Sequence, residues 1–252
     1  MGFDVAAEAY GRFMGRYSEP LAVSFLDVAG LTPGQRALDV GCGPGALTAR
    51  LVDLLGPDHV AAIDPSPSFV ASVRDRFPGV DVRLGSAEEL PFADDTFDAA
   101  LAELVVHFMT DPVAGLREMG RVTRAGGVVS ASVWDNAGMT GPIQVFWRAA
   151  QDVDPEAHDE GHMPGSREGH LAELATMAGL REVRSESLTV RVAFTSFDEW
   201  WAPYLLGVGP AGAYVASLTP ALRRRVEERC REVLPSGEFE QEATAWVVLA
   251  RA

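Results

Sequence analysis

Three glycines within five residues, Gly41, Gly43 and Gly45, follow the short apolar run Ala37–Val40, which carries Asp39. Glycines at a strand-to-helix corner let the backbone approach a ligand closely and adopt positive φ. In parallel sheets, ligands sit beyond the carboxyl ends of the strands, where the strand order reverses. A second acid, Asp64, closes the next apolar run, Val60–Ile63. A carboxylate there can accept hydrogen bonds from ribose hydroxyls, and it can also cap the helix that begins after Pro65. The dinucleotide fingerprint is G-x-G-x-x-G, whereas this corner reads G-x-G-x-G with Pro44 inside. The spacing disfavours a nicotinamide dehydrogenase, but the glycines and Asp64 alone do not name the nucleoside.

Other residues could act on a substrate. His107 stands four residues after Glu103, just past a fourth apolar run, and is the best candidate for a general base. His158 and His162 flank Asp159-Glu160-Gly161 at a spacing that would face a metal on a helix. Gly161 and Pro164 argue against that helix, so no metal is expected. His158, His162 and His170 are instead candidates for facing a substrate. Trp134, Phe146, Trp147, Trp200, Trp201 and Tyr204 could line an apolar pocket or pack a lid onto the rest of the molecule. Neighbouring Trp200 and Trp201 cannot both face one cavity from a helix. Arg223-Arg224-Arg225, interleaved with Glu227, Glu228 and Glu232, reads as a solvated helix face.

Alternating elements must position these groups. Residues 4–29 read as one or two helices, with Pro20 as a point of interruption. Strands are expected at Ala37–Val40, Val60–Ile63, Val80–Leu84, Phe97–Leu104 and Val128–Trp134, with helices at Leu47–Leu55, Pro67–Phe77 and Pro112–Val122. Two further strands, Arg184–Phe194 and Phe239–Ala250, bring the expected number to seven. Short apolar strands alternating with helices imply βαβ units and a mostly parallel sheet covered on both faces. The expected fold is α/β and Rossmann-like, a single domain over 1–252. It divides into an N-terminal helical cap (1–33), a core (34–135) and lid insertions at 136–166 and 195–235.

Composition narrows the function. The 252 residues are 47% hydrophobic and 23% charged, an ordinary globular balance. The formal charge of −15, with all 21 basic residues arginine, repels a phosphate backbone, so no nucleic-acid partner is expected. No apolar run reaches the ~18–20 residues of a membrane span, and the first residues lack the apolar core of a secretory signal. Cys42 and Cys230 form no paired motif. These features read as a cytoplasmic protein without a membrane partner; its oligomeric state is open.

The motifs ALDVGCGPGALT (37–48), AAIDPS (61–66), GSAEELPF (85–92), FDAALAELVVHFM (97–109) and REMGRVTRAGG (117–127) occur in that order. Together they resemble the class I S-adenosylmethionine-dependent methyltransferases, in particular the broad group that includes small-molecule and quinone-biosynthesis enzymes. The resemblance covers residues 34–135. It implies S-adenosyl-L-methionine as cofactor and a small-molecule methyl acceptor. It also implies that Gly41, Gly43 and Gly45 leave room for the methionine part, with Glu103 at its border, and that Asp39 and Cys42 belong to the same cofactor site. Asp64 and Pro65 would lie at the ribose, and Ser86, Ala87 and Glu88 against adenine. Tyr10 and Tyr17 would cover the cofactor. Position 86 is often acidic in such enzymes; here it is serine, a weaker partner for an amino donor. The implied reaction is in-line displacement on a small acceptor, with His107, Trp134, Trp147, His162, Trp200 and Tyr204 as candidate substrate contacts. The alternative is a non-catalytic cofactor-binding protein with a regulatory or scaffolding role.

Overall fold

A computed structural model describes residues 10–252; the part of the expected N-terminal cap before residue 10 lies outside the described residues. A π-helical turn over Gly11–Gly15 runs into α1 (Arg16–Ala29). This helix continues through Pro20, so the interruption allowed for there does not occur. Its face of Leu21, Ala22 and Phe25 is fully buried, and that packing holds the helix across the missing N–H. Gly30, with φ of 65°, ends it by donating to Leu26 O.

The chain then alternates as β1 (Ala37–Val40), α2 (Ala46–Leu55), β2 (Val60–Asp64), α3 (Pro67–Arg76) and β3 (Asp81–Leu84). After these come β4 (Phe97–Glu103), α4 (Pro112–Val122) and β5 (Thr123–Trp134). Every residue of β1 and β2 is buried, as expected for central strands covered on both faces. β5 begins five residues earlier than the expected Val128 and takes in Gly126-Gly127. A side chain at Gly127 would put a Cβ 2.6 Å from Asp98 O, so only glycine lets the strand pass its neighbour at the register shift between Phe97 and Ala99.

The remaining elements are α5 (Gln144–Val153), α6 (His170–Met177), β6 (Arg181–Phe194), α7 (Phe197–Trp201), α8 (Gly209–Ser217), α9 (Pro220–Val233) and β7 (Phe239–Arg251). The seven strands lie in the order β3-β2-β1-β4-β5-β7-β6. The first five are parallel, and β7 enters antiparallel between β5 and β6. Strand order therefore reverses between β1 and β4, which opens a crevice beyond their carboxyl ends. The glycine corner follows one of these strands and Glu103 ends the other.

Above that crevice, the segments around α5 and α7–α9 bury an aromatic cluster. Phe146 stacks on Tyr204 at 4.6 Å and Trp201 lies 5.7 Å from Tyr204. Trp200 and Trp201 are both buried in this cluster. A buried network ties it to the N-terminal helix: the Tyr17 hydroxyl (2.8 Å) and the Trp200 indole N–H (2.9 Å) both donate to Gln241 Oε1, while Gln241 Nε2 donates to Pro142 O at 2.8 Å. No helix among the described residues is long and apolar enough to cross a membrane.

Candidate active site

The glycine corner is held by backbone bonds. The N–H groups of Gly41 and Cys42 both donate to Ile63 O, at 2.8 and 3.0 Å, and Gly45 closes a turn by donating to Cys42 O at 2.9 Å. The three glycines have φ of 72°, 52° and 95°, all in the left-handed region that penalises a side chain. A Cβ at Gly43 would meet open space, whereas one at Gly45 would press on Phe77 and Val73 at 3.1 and 3.3 Å. Gly45 thus serves packing and the start of α2. Asp64 ties the corner to the next helix: its Oδ2 accepts from Gly43 N–H at 2.9 Å and its Oδ1 from Ser66 N–H at 2.8 Å. Burial raises its pKa, and these two amide bonds pull it back.

Two more acids stand behind the corner. Asp39 is buried in β1 and accepts from the Thr48 hydroxyl at 2.5 Å; burial pushes its carboxyl up to about 7. Glu103 holds its proton well above the ordinary carboxylate range, because of burial first and the Asp39 charge second. Its buried Oε1 has no hydrogen-bond partner among the described residues. Leu104, next in the chain, has φ of 61° and donates to Ser132 O at 2.9 Å. Such a conformation is strained for a leucine, and it turns the chain at the strand end where Leu104 and Val105 line the crevice.

Three adjoining cavities occupy the crevice. The first, of about 420 Å³, lies between Gly41, Pro65, Ser86, Ala87 and Glu88 on one side and His107 to Met109 on the other. Glu88 also braces its rim by accepting from Thr110 N–H at 2.8 Å. The second, of about 90 Å³, is bounded by Gly41, Gly43, Asp64, Glu103 and Tyr10. The third, of about 40 Å³, is bounded by Tyr10, Leu104, His107, Trp134, Ile143 and Glu160. Phe108 lines all three. Tyr10 meets Phe69 edge-on at 5.4 Å. Its hydroxyl is pushed up by burial and by Glu103, Asp64 and Glu160, so the field here is negative.

The cavities therefore gather Tyr10, Gly41, Gly43, Asp64, Pro65, Ser86, Ala87, Glu88, Glu103, His107 and Trp134 from the residues expected on sequence. Others stand apart from them. Tyr17 and Trp200 spend their polar atoms on Gln241, and Trp147 and Tyr204 pack in the aromatic cluster. None of the four lines these three cavities, because the buried lid needs their bulk. His162 is exposed, while Met163 and Glu160 beside it face the cavities. Cys42 points into a small cluster with Val70, Val73 and Val82, and Asp39 lies behind the corner on Thr48. Sequence reasoning missed Val105, Phe108 and Glu160. The first two are apolar residues at the ends of a short 3-10 turn after β4, and Glu160 lies in a segment with no periodicity to reveal a buried face.

Comparison with known proteins agrees with this geometry. Residues 38–131 match the family model described as methyltransferase domain. The chain is 32% identical over 164 residues to a malonyl-[acyl-carrier protein] O-methyltransferase of Serratia marcescens, covering 63% of this chain and 62% of that protein. It is 43% identical over 102 residues to the demethylmenaquinone methyltransferase of Beutenbergia cavernae, covering 40% and 42%. A Streptomyces fradiae transposon protein without a described activity is 32% identical over 90% of this chain and 65% of its own length. The chain thus spans less than two thirds of these curated relatives. Among solved structures, a Haemonchus contortus phosphoethanolamine N-methyltransferase bound to phosphomonomethylethanolamine and S-adenosylhomocysteine superposes with a TM-score of 0.60 at 14% identity, over 97% of this chain and 56% of that one. The [4+2]-cyclase SpnF superposes with 0.58 at 20% identity, over 92% and 80%. Residues 38–131 thus match a methyltransferase domain, and the sheet order and glycine corner give the chain the fold of the solved structures to which it is similar.

Proposed function

We propose that the chain transfers the methyl group of S-adenosyl-L-methionine to a small-molecule acceptor. The observation that carries this reading is the crevice itself: a nucleoside-sized cavity, a carboxylate-lined cavity and a smaller, mostly apolar cavity with a few polar atoms lie side by side at the strand-order switch. The residues present fit the cofactor. Gly43 leaves open space where a side chain would stand, and the unpartnered Glu103 Oε1 offers an acceptor to a cationic ligand. Gly41, Gly43, Asp64 and Glu103 would hold the ribose and methionine parts, and Pro65, Ser86, Ala87 and Glu88 the adenine. When bound, the cofactor supplies an electrophilic methyl group on a sulfonium.

The chain's own residues orient and enclose. Asp64 fixes the Gly43 amide and keeps further lone pairs for hydroxyl donors. Phe108 and Tyr10 separate the cofactor side from the third cavity, where the acceptor would sit. Apolar walls exclude water and hold the two reactants in line. A second reading, cofactor binding without methyl transfer, takes support from the likeness to a cyclase, since a fold does not fix its chemistry.

Thermal shift with S-adenosylhomocysteine and with NAD tests the cofactor, because a ligand stabilises the native state by mass action. Incubation with methyl-labelled cofactor and a fractionated metabolite extract then tests transfer. Stabilisation by S-adenosylhomocysteine and a labelled product are expected. A preference for NAD would end the reading, and cofactor binding with no labelled product would favour the second.

A further inference from the structure

Three buried polar atoms around the third cavity have no hydrogen-bond partner among the described residues: Glu160 Oε1, Trp134 Nε1 and His107 Nδ1. Their residues are 7%, 4% and 5% exposed, and all three line the same space. Buried polar groups in native proteins are paired as a rule, so three orphans around one cavity mark a place where a ligand supplies the partners. Glu160 is also held in position. Its Oε2 accepts from Asn136 Nδ2 at 3.5 Å, and Asn136 Oδ1 accepts from Gln144 Nε2 at 3.0 Å.

The chemistry of the orphans selects the ligand group. An ionised carboxylate only accepts and an indole N–H only donates. An ammonium cannot accept from the indole. A carboxylate or phosphate ligand would meet Glu160 with no arginine among the lining residues to offset it. A neutral amine has one lone pair and cannot give it both to the indole and to a methyl carbon. A hydroxyl oxygen satisfies Glu160 and Trp134 together: its O–H donates to Glu160, one lone pair accepts from Trp134, and the other stays free for the methyl carbon. The rest of the wall is apolar, with Phe13, Met14, Leu104 and Ile143, and the small space of about 40 Å³ suits one ring.

We propose that the acceptor is a single-ring phenol, that Glu160 takes its proton, and that the Trp134 indole N–H holds its oxygen. This rests on the methyl-transfer reading above. A phenol ionises near 10, as tyrosine does, far below an aliphatic hydroxyl. Burial and the Asp159 charge push the Glu160 carboxyl up to about 7, closer to that of a phenol than an ordinary carboxylate and thus a stronger base. Burial takes His107 down to about 3, so its neutral ring is a poor base and serves as a wall of the cavity. In the transfer, the phenol oxygen forms its bond to the methyl carbon as the carbon–sulfur bond breaks. Sulfur keeps the bonding pair and becomes a neutral thioether, and the O–H proton passes to Glu160 Oε1. Product release and proton loss to solvent restore the carboxylate.

The test measures binding of phenol and of toluene by calorimetry with S-adenosylhomocysteine present, then methyl-aryl-ether formation from phenol by mass. The wild-type protein should bind phenol more tightly than toluene. Glu160→Gln should weaken phenol about tenfold, the loss of one charge-assisted bond, and leave toluene and S-adenosylhomocysteine unchanged. Trp134→Phe should also reduce the preference for phenol. Ether formation should fall about 10²-fold or more in Glu160→Gln and recover in part in Glu160→Asp. Melting temperatures of the variants separate misfolding from loss of binding. Phenol bound no better than toluene, or equally by the wild-type protein and both folded Glu160 variants, would overturn this inference while intact S-adenosylhomocysteine binding left the methyl-transfer reading standing. Failure to bind S-adenosylhomocysteine would remove both.

Discussion

The Asp64 carboxylate receives the Gly43 amide on one oxygen, at 2.9 Å, and the Ser66 amide on the other, at 2.8 Å. One side chain therefore shapes the glycine corner and ties it to the chain entering α3. Asp64→Asn turns one acceptor into a donor facing an amide N–H. It should lower stability by about 1–3 kcal/mol and weaken S-adenosylhomocysteine binding at least tenfold. Urea unfolding and calorimetry check the two effects. A loss of affinity with no loss of stability would show that the two amide bonds are dispensable.

Gly41 faces Val105 so closely that a Cβ would lie 2.5 Å from both valine methyl carbons. Gly41→Ala adds that collision to the penalty of a left-handed φ, ~1–2 kcal/mol. Adding Val105→Ala should recover the steric part and leave the backbone part. A double-mutant cycle measures the coupling, and additive effects would disprove the clash.

Asp39 provides a pH test. Burial pushes its folded carboxyl up to about 7 from the ordinary aspartate value of 3.8. Between those values the folded state holds a proton that the unfolded state has lost, so this group's contribution to stability falls as pH rises. Asp39→Asn keeps an acceptor for Thr48 and removes the charge. Its stability relative to wild type should be more favourable at pH 8 than at pH 5, by up to a few kcal/mol. Unfolding curves at the two pH values that gave the same difference would refute the buried charge.

Gln241 should prove structural. Gln241→Leu strands the Tyr17 hydroxyl and the Trp200 indole, two buried donors at about 1–3 kcal/mol each. The midpoint of unfolding should drop, while S-adenosylhomocysteine affinity in the folded fraction stays within about twofold. A large affinity loss would return Tyr17 to the cofactor site.

The sequence by itself located the residues that line the larger part of the crevice. Each of Gly41, Gly43, Asp64, Ser86 and Glu103 lies within a few residues of a strand end, and strands, turns and helix starts are local events with local signatures. Apolar runs fixed which strands are central, because a strand covered on both faces has no polar side to show. The lid was different. Tyr17, Trp200 and Gln241 meet across separations of 41 to 224 residues, and no local pattern distinguishes an indole that packs from one that lines a cavity. Glu160 and Trp134 become neighbours of one cavity only when the strand-free loop folds back over the end of β5. Tertiary structure alone revealed the three unpartnered atoms around the third cavity, because a buried, unpartnered atom is defined by what surrounds it and not by its place in the chain.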